Sequence, residues 1–161
     1  MLQSFWITKI NDCDIAISPC PSGGQNLEKE LKSLVLEDQL LVISLLTDQE
    51  VIDEHLQKEK VTCEKSGIEF KYFPIIEGSI PGAFNFIEFV EEIYPLTNDL
   101  DRIIIHCNRG RSRSSMVTIG LMLKHGLILG ESIQLASKIR GSKVPKHPSQ
   151  VKLLKYYAES L

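Results

Sequence analysis

Two residues in this chain have the types and spacing for chemistry on a phosphate. Cys107 and Arg113 stand six residues apart in the stretch His106-Cys107-Asn108-Arg109-Gly110-Arg111-Ser112-Arg113-Ser114-Ser115. A thiolate is a strong nucleophile. A guanidinium is a planar fork whose paired N–H groups match the equatorial oxygens of a phosphate. Between them, Gly110 lets the backbone turn closely without a Cβ penalty. The N–H groups of a loop wound this way converge on one anion.

Such a loop needs a frame on either side. Ile103, Ile104 and Ile105 precede it, a continuous β-branched run that suits a strand buried on both faces. Met116, Val117, Ile119, Gly120, Leu121 and Leu123 follow as a buried helix. A loop between that strand and that helix N-terminus gains roughly half a positive charge from the helix dipole. A cysteine at the loop entrance sits in a field that favours thiolate over thiol. Charge distribution agrees. Four of the five arginines fall between Arg102 and Arg113, and no Asp or Glu occurs from Arg102 to Gly130, in a chain of net charge −3.

The run His106 to Ser114 matches the H-C-x-x-G-x-x-R-[S/T] signature of the protein tyrosine phosphatases. The bare C-x5-R spacing also occurs in rhodanese-like and arsenate-reductase-like proteins. The order of the chain resembles the compact dual-specificity branch, above all its small prokaryotic-type members. Carrying that likeness are Ala16 to Gly24, Ile43 to Asp48, Phe73-Pro74-Ile75, and Arg140-Gly141 with Pro145. Low-molecular-weight phosphatases, which place the motif at the N-terminus, fit poorly.

The resemblance implies roles. Cys107 is the expected nucleophile, forming a cysteinyl phosphate. Asn108, Arg109, Gly110, Arg111, Ser112 and Arg113 are the expected phosphate-binding residues, with Arg113 stabilising equatorial charge. Ser114 is expected to hydrogen-bond the Cys107 sulfur and so improve it as a leaving group; a helix-start hydroxyl is compatible with this. His106 either tunes the loop through a hydrogen bond or is simply a satisfied buried histidine. Family members use an aspartate as general acid. Aligning Phe73-Pro74 and Pro81 puts Glu77 in that position, a departure from the usual residue. Asp48 is the reserve acid, although a helix cap is the better account of it. Gln150 resembles a family glutamine near the pocket, or is a first-turn residue of the last helix. His125 and His147 read as surface residues. No cofactor or metal is expected.

Length and composition bound the rest. The 161 residues suit one domain spanning 1–161, and the mild acidity argues against nucleic-acid or membrane-surface binding. No apolar run is long enough to cross a membrane, and no signal-peptide pattern opens the chain. The four cysteines, Cys13, Cys20, Cys63 and Cys107, are dispersed, so a zinc site is not expected. Free thiols in a reducing cytoplasm, and a monomer, are the expectation. Cys13, Cys20 and Cys63 read as buried small hydrophobes, any of which could form a protective disulfide with Cys107.

Hydrophobic patterning predicts a hairpin of strands at 5–8 and 14–18 around Asn11-Asp12. A helix carrying Leu27, Leu31, Leu34 and Val35 follows, then a strand over 40–45. Next comes a helix from a Thr47 or Asp48 cap through about Lys65. A strand over 68–73, a loop over 74–81, and a helix over 82–96 with Phe86, Phe89, Val90 and Ile93 inward come next. Two last helices are predicted near 130–140 and 149–160. Strands alternating with helices give an α/β fold with a mostly parallel central sheet flanked by helices. Ligands bind at the carboxyl ends of such strands, where the loops at 45–48, 74–81 and Cys107 meet.

The leading functional expectation is a cysteine phosphatase acting on phosphotyrosine, with phosphoserine and phosphothreonine also considered. Its partner would be a phosphorylated protein or peptide. A phosphoinositide phosphatase is the alternative suggested by Arg109 and Arg111. A phosphate-binding module with weak turnover is the alternative suggested by Glu77 in the acid position.

Overall fold

Residues 2–161 are described by the computed structural model of the chain. Five strands form one sheet: β1 (Phe5–Ile10), β2 (Cys13–Ser18), β3 (Leu40–Ser44), β4 (Glu69–Tyr72) and β5 (Arg102–His106). Their order is β1-β2-β5-β3-β4. β1 runs antiparallel to β2 through the Asn11-Asp12 turn, and the other pairs are parallel. β5 is therefore central, and its Ile103, Ile104 and Ile105 are fully buried.

The two faces of the sheet follow from strand alternation. Ile15, Ile17, Leu41, Ile43, Ile103 and Ile105 point into the larger core. Ala16, Leu40, Val42 and Ile104 point into the smaller one. Each fully buried isoleucine or leucine contributes roughly 1.5–3 kcal/mol from surface removed from water. The larger core is covered by α4 (Ala83–Ile93), α5 (Ser112–Lys124), α6 (Leu129–Arg140) and α7 (Pro148–Ser160). α1 (Leu27–Lys32) and α3 (Glu59–Lys65) lie over the smaller core.

Three predicted helices are shorter than their sequence patterns. α1 stops at Lys32, and Val35 lies in the connection to β3, 43% exposed. The helix predicted over 82–96 is α4 followed by a 3-10 turn, Tyr94–Asn98, with Phe86, Phe89, Val90 and Ile93 buried as expected. The helix predicted up to Lys65 is two helices, α2 (Asp48–Asp53) and α3. His55 breaks it with a left-handed φ of 57°. The break is tertiary: Gly24 N–H donates to the His55 carbonyl, and Gly23 lies so close to the Glu54 and His55 carbonyls that a Cβ would collide with them. No glycine or proline within 47–65 announces that contact. No helix among the described residues is long and apolar enough to cross a membrane.

Candidate active site

The loop after β5 is held by its carbonyls. Consecutive carbonyl oxygens accept from donors elsewhere: His106 from Leu45 N–H at 2.9 Å, Asn108 from Cys20 N–H at 3.0 Å, and Arg111 from Ser115 N–H at 3.0 Å. The Arg109 and Gly110 carbonyls accept from the Arg140 guanidinium at 3.2 and 2.7 Å. The Cys107 carbonyl faces His106 Nδ1 at 3.2 Å. With its carbonyls anchored outward, the loop leaves its N–H side for an anion at the start of α5.

Gly110 is required by this winding. Its φ is +66°, and a Cβ there would run into the backbone of Ser18 and Pro19. Arg140 braces the same stretch, with its guanidinium 4.2 Å from the Phe5 ring centre. Burial, and then the charge of Arg111, lower the Arg140 guanidinium from its ordinary value.

At the centre, Cys107 is 3% exposed, and its Sγ contacts Ser114 Oγ at 3.4 Å. Ser114 in turn donates to the Arg111 carbonyl at 3.4 Å. Arg113, in the first turn of α5, points its fork at Glu50: Nη1 to Oε1 at 2.7 Å and Nη2 to Oε2 at 2.8 Å. Nη1 also donates to the Ile75 carbonyl at 2.8 Å. Burial works against the Arg113 charge, but Glu50, with Cys107 and Glu77 nearby, more than reverses this and raises the guanidinium. Burial alone would likewise raise the Glu50 carboxyl. Its bonds to Arg113 and Thr47 outweigh burial and hold it down at about 2.

A cavity of about 230 Å³ opens over the sulfur, lined by Glu77, Cys107, Arg109, Arg111, Ser112, Arg113, Lys146 and His147. Cys107, the loop arginines, Ser112 and the Glu77 loop thus meet at one mouth. Lys146 is set there by its N–H, which donates to Ser112 Oγ at 2.9 Å. Neither Arg109 nor Arg111 has an ion-pair or hydrogen-bond partner for its guanidinium among the described residues. His147, read from sequence as a surface residue, lines the cavity instead. Its Nε2 lies 3.8 Å from where a Cβ on Gly78 would sit, so the ring borders the Glu77 turn.

Other expected residues stand apart from the cavity. The Asn108 side chain donates to Glu54 Oε1 at 3.2 Å. Asp48 is the first residue of α2, accepts from the Tyr72 hydroxyl at 3.1 Å, and lines a different cavity. The cap itself is Thr47. Gln150 is fully buried; its Oε1 accepts from His147 N–H at 3.2 Å, and its Nε2 has no partner among the described residues. Cys13 and Cys63 are buried and Cys20 half-buried, all as free thiols, and burial pushes each up to about 12.

Two residues escaped the sequence reading. Glu50 was legible in principle, because Thr47-Asp48-Gln49-Glu50 is a capping-box pattern, and Thr47 and Glu50 do cap each other. Glu59, whose Oε2 lies 2.6 Å from His106 Nε2, carried no such signal.

No protein-family model matches the chain, and no curated protein does either. Solved structures do match. Kinase associated phosphatase (KAP), with its catalytic-site cysteine replaced by serine, superposes with a TM-score of 0.82 at 19% identity, covering 99% of this chain and 96% of that one. Tk-PTP in the active form gives 0.76 at 24% identity over 98% and 97%. PTPMT1 in complex with PI(5)P gives 0.71 at 21% identity over 96% and 96%. The chain therefore has the fold of the small dual-specificity and protein tyrosine phosphatases.

Proposed function

We propose that the chain is a cysteine-dependent phosphatase that hydrolyses phosphotyrosine in proteins or peptides, with phosphoserine and phosphothreonine as candidate further substrates. The observation that carries this reading is the single cavity shared by Cys107, Arg113 and Glu77. Cys107 Sγ attacks phosphorus in line, forming an S–P bond as the ester P–O bond breaks. Glu77 gives its proton to the leaving oxygen. The loop N–H groups hold the equatorial charge together with the Arg113 donors that Glu50 and Ile75 leave over, Nε–H and the second Nη2 hydrogen, and the Glu50 pairing fixes the guanidinium plane. The Ser114 hydroxyl, in contact with the sulfur, turns its hydrogen from the Arg111 carbonyl to Sγ and so stabilises the thiolate released when water attacks the cysteinyl phosphate. Glu77, now a carboxylate, takes the proton of that water.

The test compares p-nitrophenyl phosphate with a phosphotyrosine peptide, with chelator present. Nitrophenolate leaves with little help from an acid, whereas tyrosine needs a proton. Cys107→Ser is expected to abolish turnover of both, and Glu77→Gln to impair mainly the peptide. Equal peptide turnover by Glu77→Gln and wild type would remove Glu77 from the mechanism.

A second reading rests on Arg109 and Arg111, exposed at the cavity and unpaired among the described residues. Together with Lys146 they favour a substrate carrying more than one anionic group, such as a phosphoinositide. The fold-related PTPMT1 is known in complex with PI(5)P. Turnover of inositol phospholipids far above phosphotyrosine peptides would favour this reading.

A further inference from the structure

Beneath the phosphate loop, His106 and Glu59 form a buried pair, 1% and 2% exposed. His106 Nε2 lies 2.6 Å from Glu59 Oε2, and Nδ1 lies 3.2 Å from the Cys107 carbonyl oxygen. A carbonyl can only accept, so a hydrogen bond there requires the proton on Nδ1. A second proton must lie between Nε2 and Oε2, because two lone pairs facing at that distance would repel. Whether that proton sits on nitrogen or oxygen, the pair has no net charge and Nδ1 keeps its hydrogen.

The surroundings require the same count. His106 is the only ion-pair partner of Glu59 among the described residues; Lys60, which lines the same cavity, is exposed and not paired with it. Around the carboxylate stand Cys20, Cys63 and Tyr72, each pushed up to about 12, first by burial and with Glu59 among the further causes. They remain neutral and offer no positive charge. Asp48 and Glu50 add negative charge on the α2 side, and Glu54 does so near Cys20. A buried carboxylate without a proton or cation would carry a heavy desolvation cost.

We infer that Glu59 is a positioning residue for the nucleophile loop: by sharing a proton with Nε2 it holds the His106 ring in place, and the Nδ1–H of that ring holds the Cys107 carbonyl away from the anion site. Neutral histidine in water leaves the choice of tautomer to its surroundings. Here the Cys107 carbonyl calls for Nδ1–H, and Glu59, the first residue of α3, holds the ring where that bond forms. The consequence for catalysis rests on the phosphatase reading; the tautomer does not.

The test is nitrogen NMR of the full chain with isotope-labelled histidine, at neutral pH, beside kinetics on p-nitrophenyl phosphate. In wild type the His106 Nδ1 is expected to carry a slowly exchanging proton. Glu59→Gln can donate to Nε2 through its amide and so is expected to keep Nδ1–H and a kcat within roughly threefold of wild type. Glu59→Met leaves Nε2 without a partner, so the ring is no longer held; the Nδ1 proton is expected to exchange faster, and kcat to fall by about tenfold or more with KM little changed, the usual scale for an outer hydrogen-bond partner. A bare Nδ1 in folded wild type would overturn the inference, as would a Glu59→Met variant with wild-type kcat. If Glu59→Met does not fold, the wild-type spectrum and Glu59→Gln still decide it. If wild type hydrolyses no phosphate ester, the phosphatase reading fails, and the spectrum alone judges the role of Glu59.

Discussion

Arg113 and Glu50 face each other as a two-pronged pair, at 2.7 and 2.8 Å, beside the candidate nucleophile. Glu50 is itself fixed, because its Oε1 accepts from the Thr47 N–H at 3.1 Å and its own N–H donates to Thr47 Oγ1 at 3.3 Å. A helix cap on α2 thereby sets the plane of a guanidinium on α5. Replacing Arg113 with lysine keeps the charge but loses the fork. The expected outcome is a fall in kcat of about 10²–10³-fold, the scale of a lost charge-stabilising donor. Steady-state kinetics with circular dichroism as a folding control checks it.

Removing the other member acts mainly on stability. Glu50→Ala leaves the Arg113 charge, 3% exposed at its side chain, without its partner. Breaking such a pair costs about 3–5 kcal/mol. Urea unfolding is expected to show that loss, and Glu50→Gln a smaller one.

The same pair gives a pH dependence. The folded Glu50 carboxyl is held at about 2, below its ordinary 4.5. Its contribution is therefore fully present above the ordinary value and is lost as pH falls from 4.5 toward 2. The carboxyl is partly open to solvent, which screens the pair, so its contribution lies below the roughly 3 kcal/mol that the full difference would give. Wild type is expected to lose stability through that window more steeply than Glu50→Gln. Parallel curves for the two proteins would contradict it.

Gly110→Ala tests the loop winding. With φ at +66° and the backbone of Ser18 and Pro19 against the missing Cβ, alanine cannot enter without moving β2 or the loop. Loss of activity of about 10²-fold or more is expected, on the scale by which a misplacement of about 1 Å in a reacting group costs rate. Arg109→Ala with Arg111→Ala should behave differently, raising KM for multiply phosphorylated substrates while sparing p-nitrophenyl phosphate.

Much of this arrangement is written locally. Ile103 to Ile105, the turn at Gly110 and the apolar run of α5 give strand, loop and helix in order, and strand alternation gives the two cores. What one stretch of sequence does not carry is pairing between distant residues. Arg102 looked like part of the basic cluster, yet its guanidinium grips Asp38 at 2.6 and 2.8 Å, away from the cavity. The break at His55 depends on Gly23 and Gly24, some thirty residues earlier. His147 reaches the cavity because its ring borders Gly78, a contact between two loops far apart in the chain.

Catching the covalent intermediate tests Cys107 as the nucleophile most directly. Wild type is mixed with p-nitrophenyl phosphate, quenched in acid, digested and examined by mass spectrometry, with Cys107→Ser alongside. The expected result is the added mass of one phosphoryl group on the peptide bearing Cys107, formed in step with a burst of nitrophenolate and absent from the serine variant. Phosphate release by wild type with Cys107 unmodified, or turnover surviving in Cys107→Ser, would contradict it.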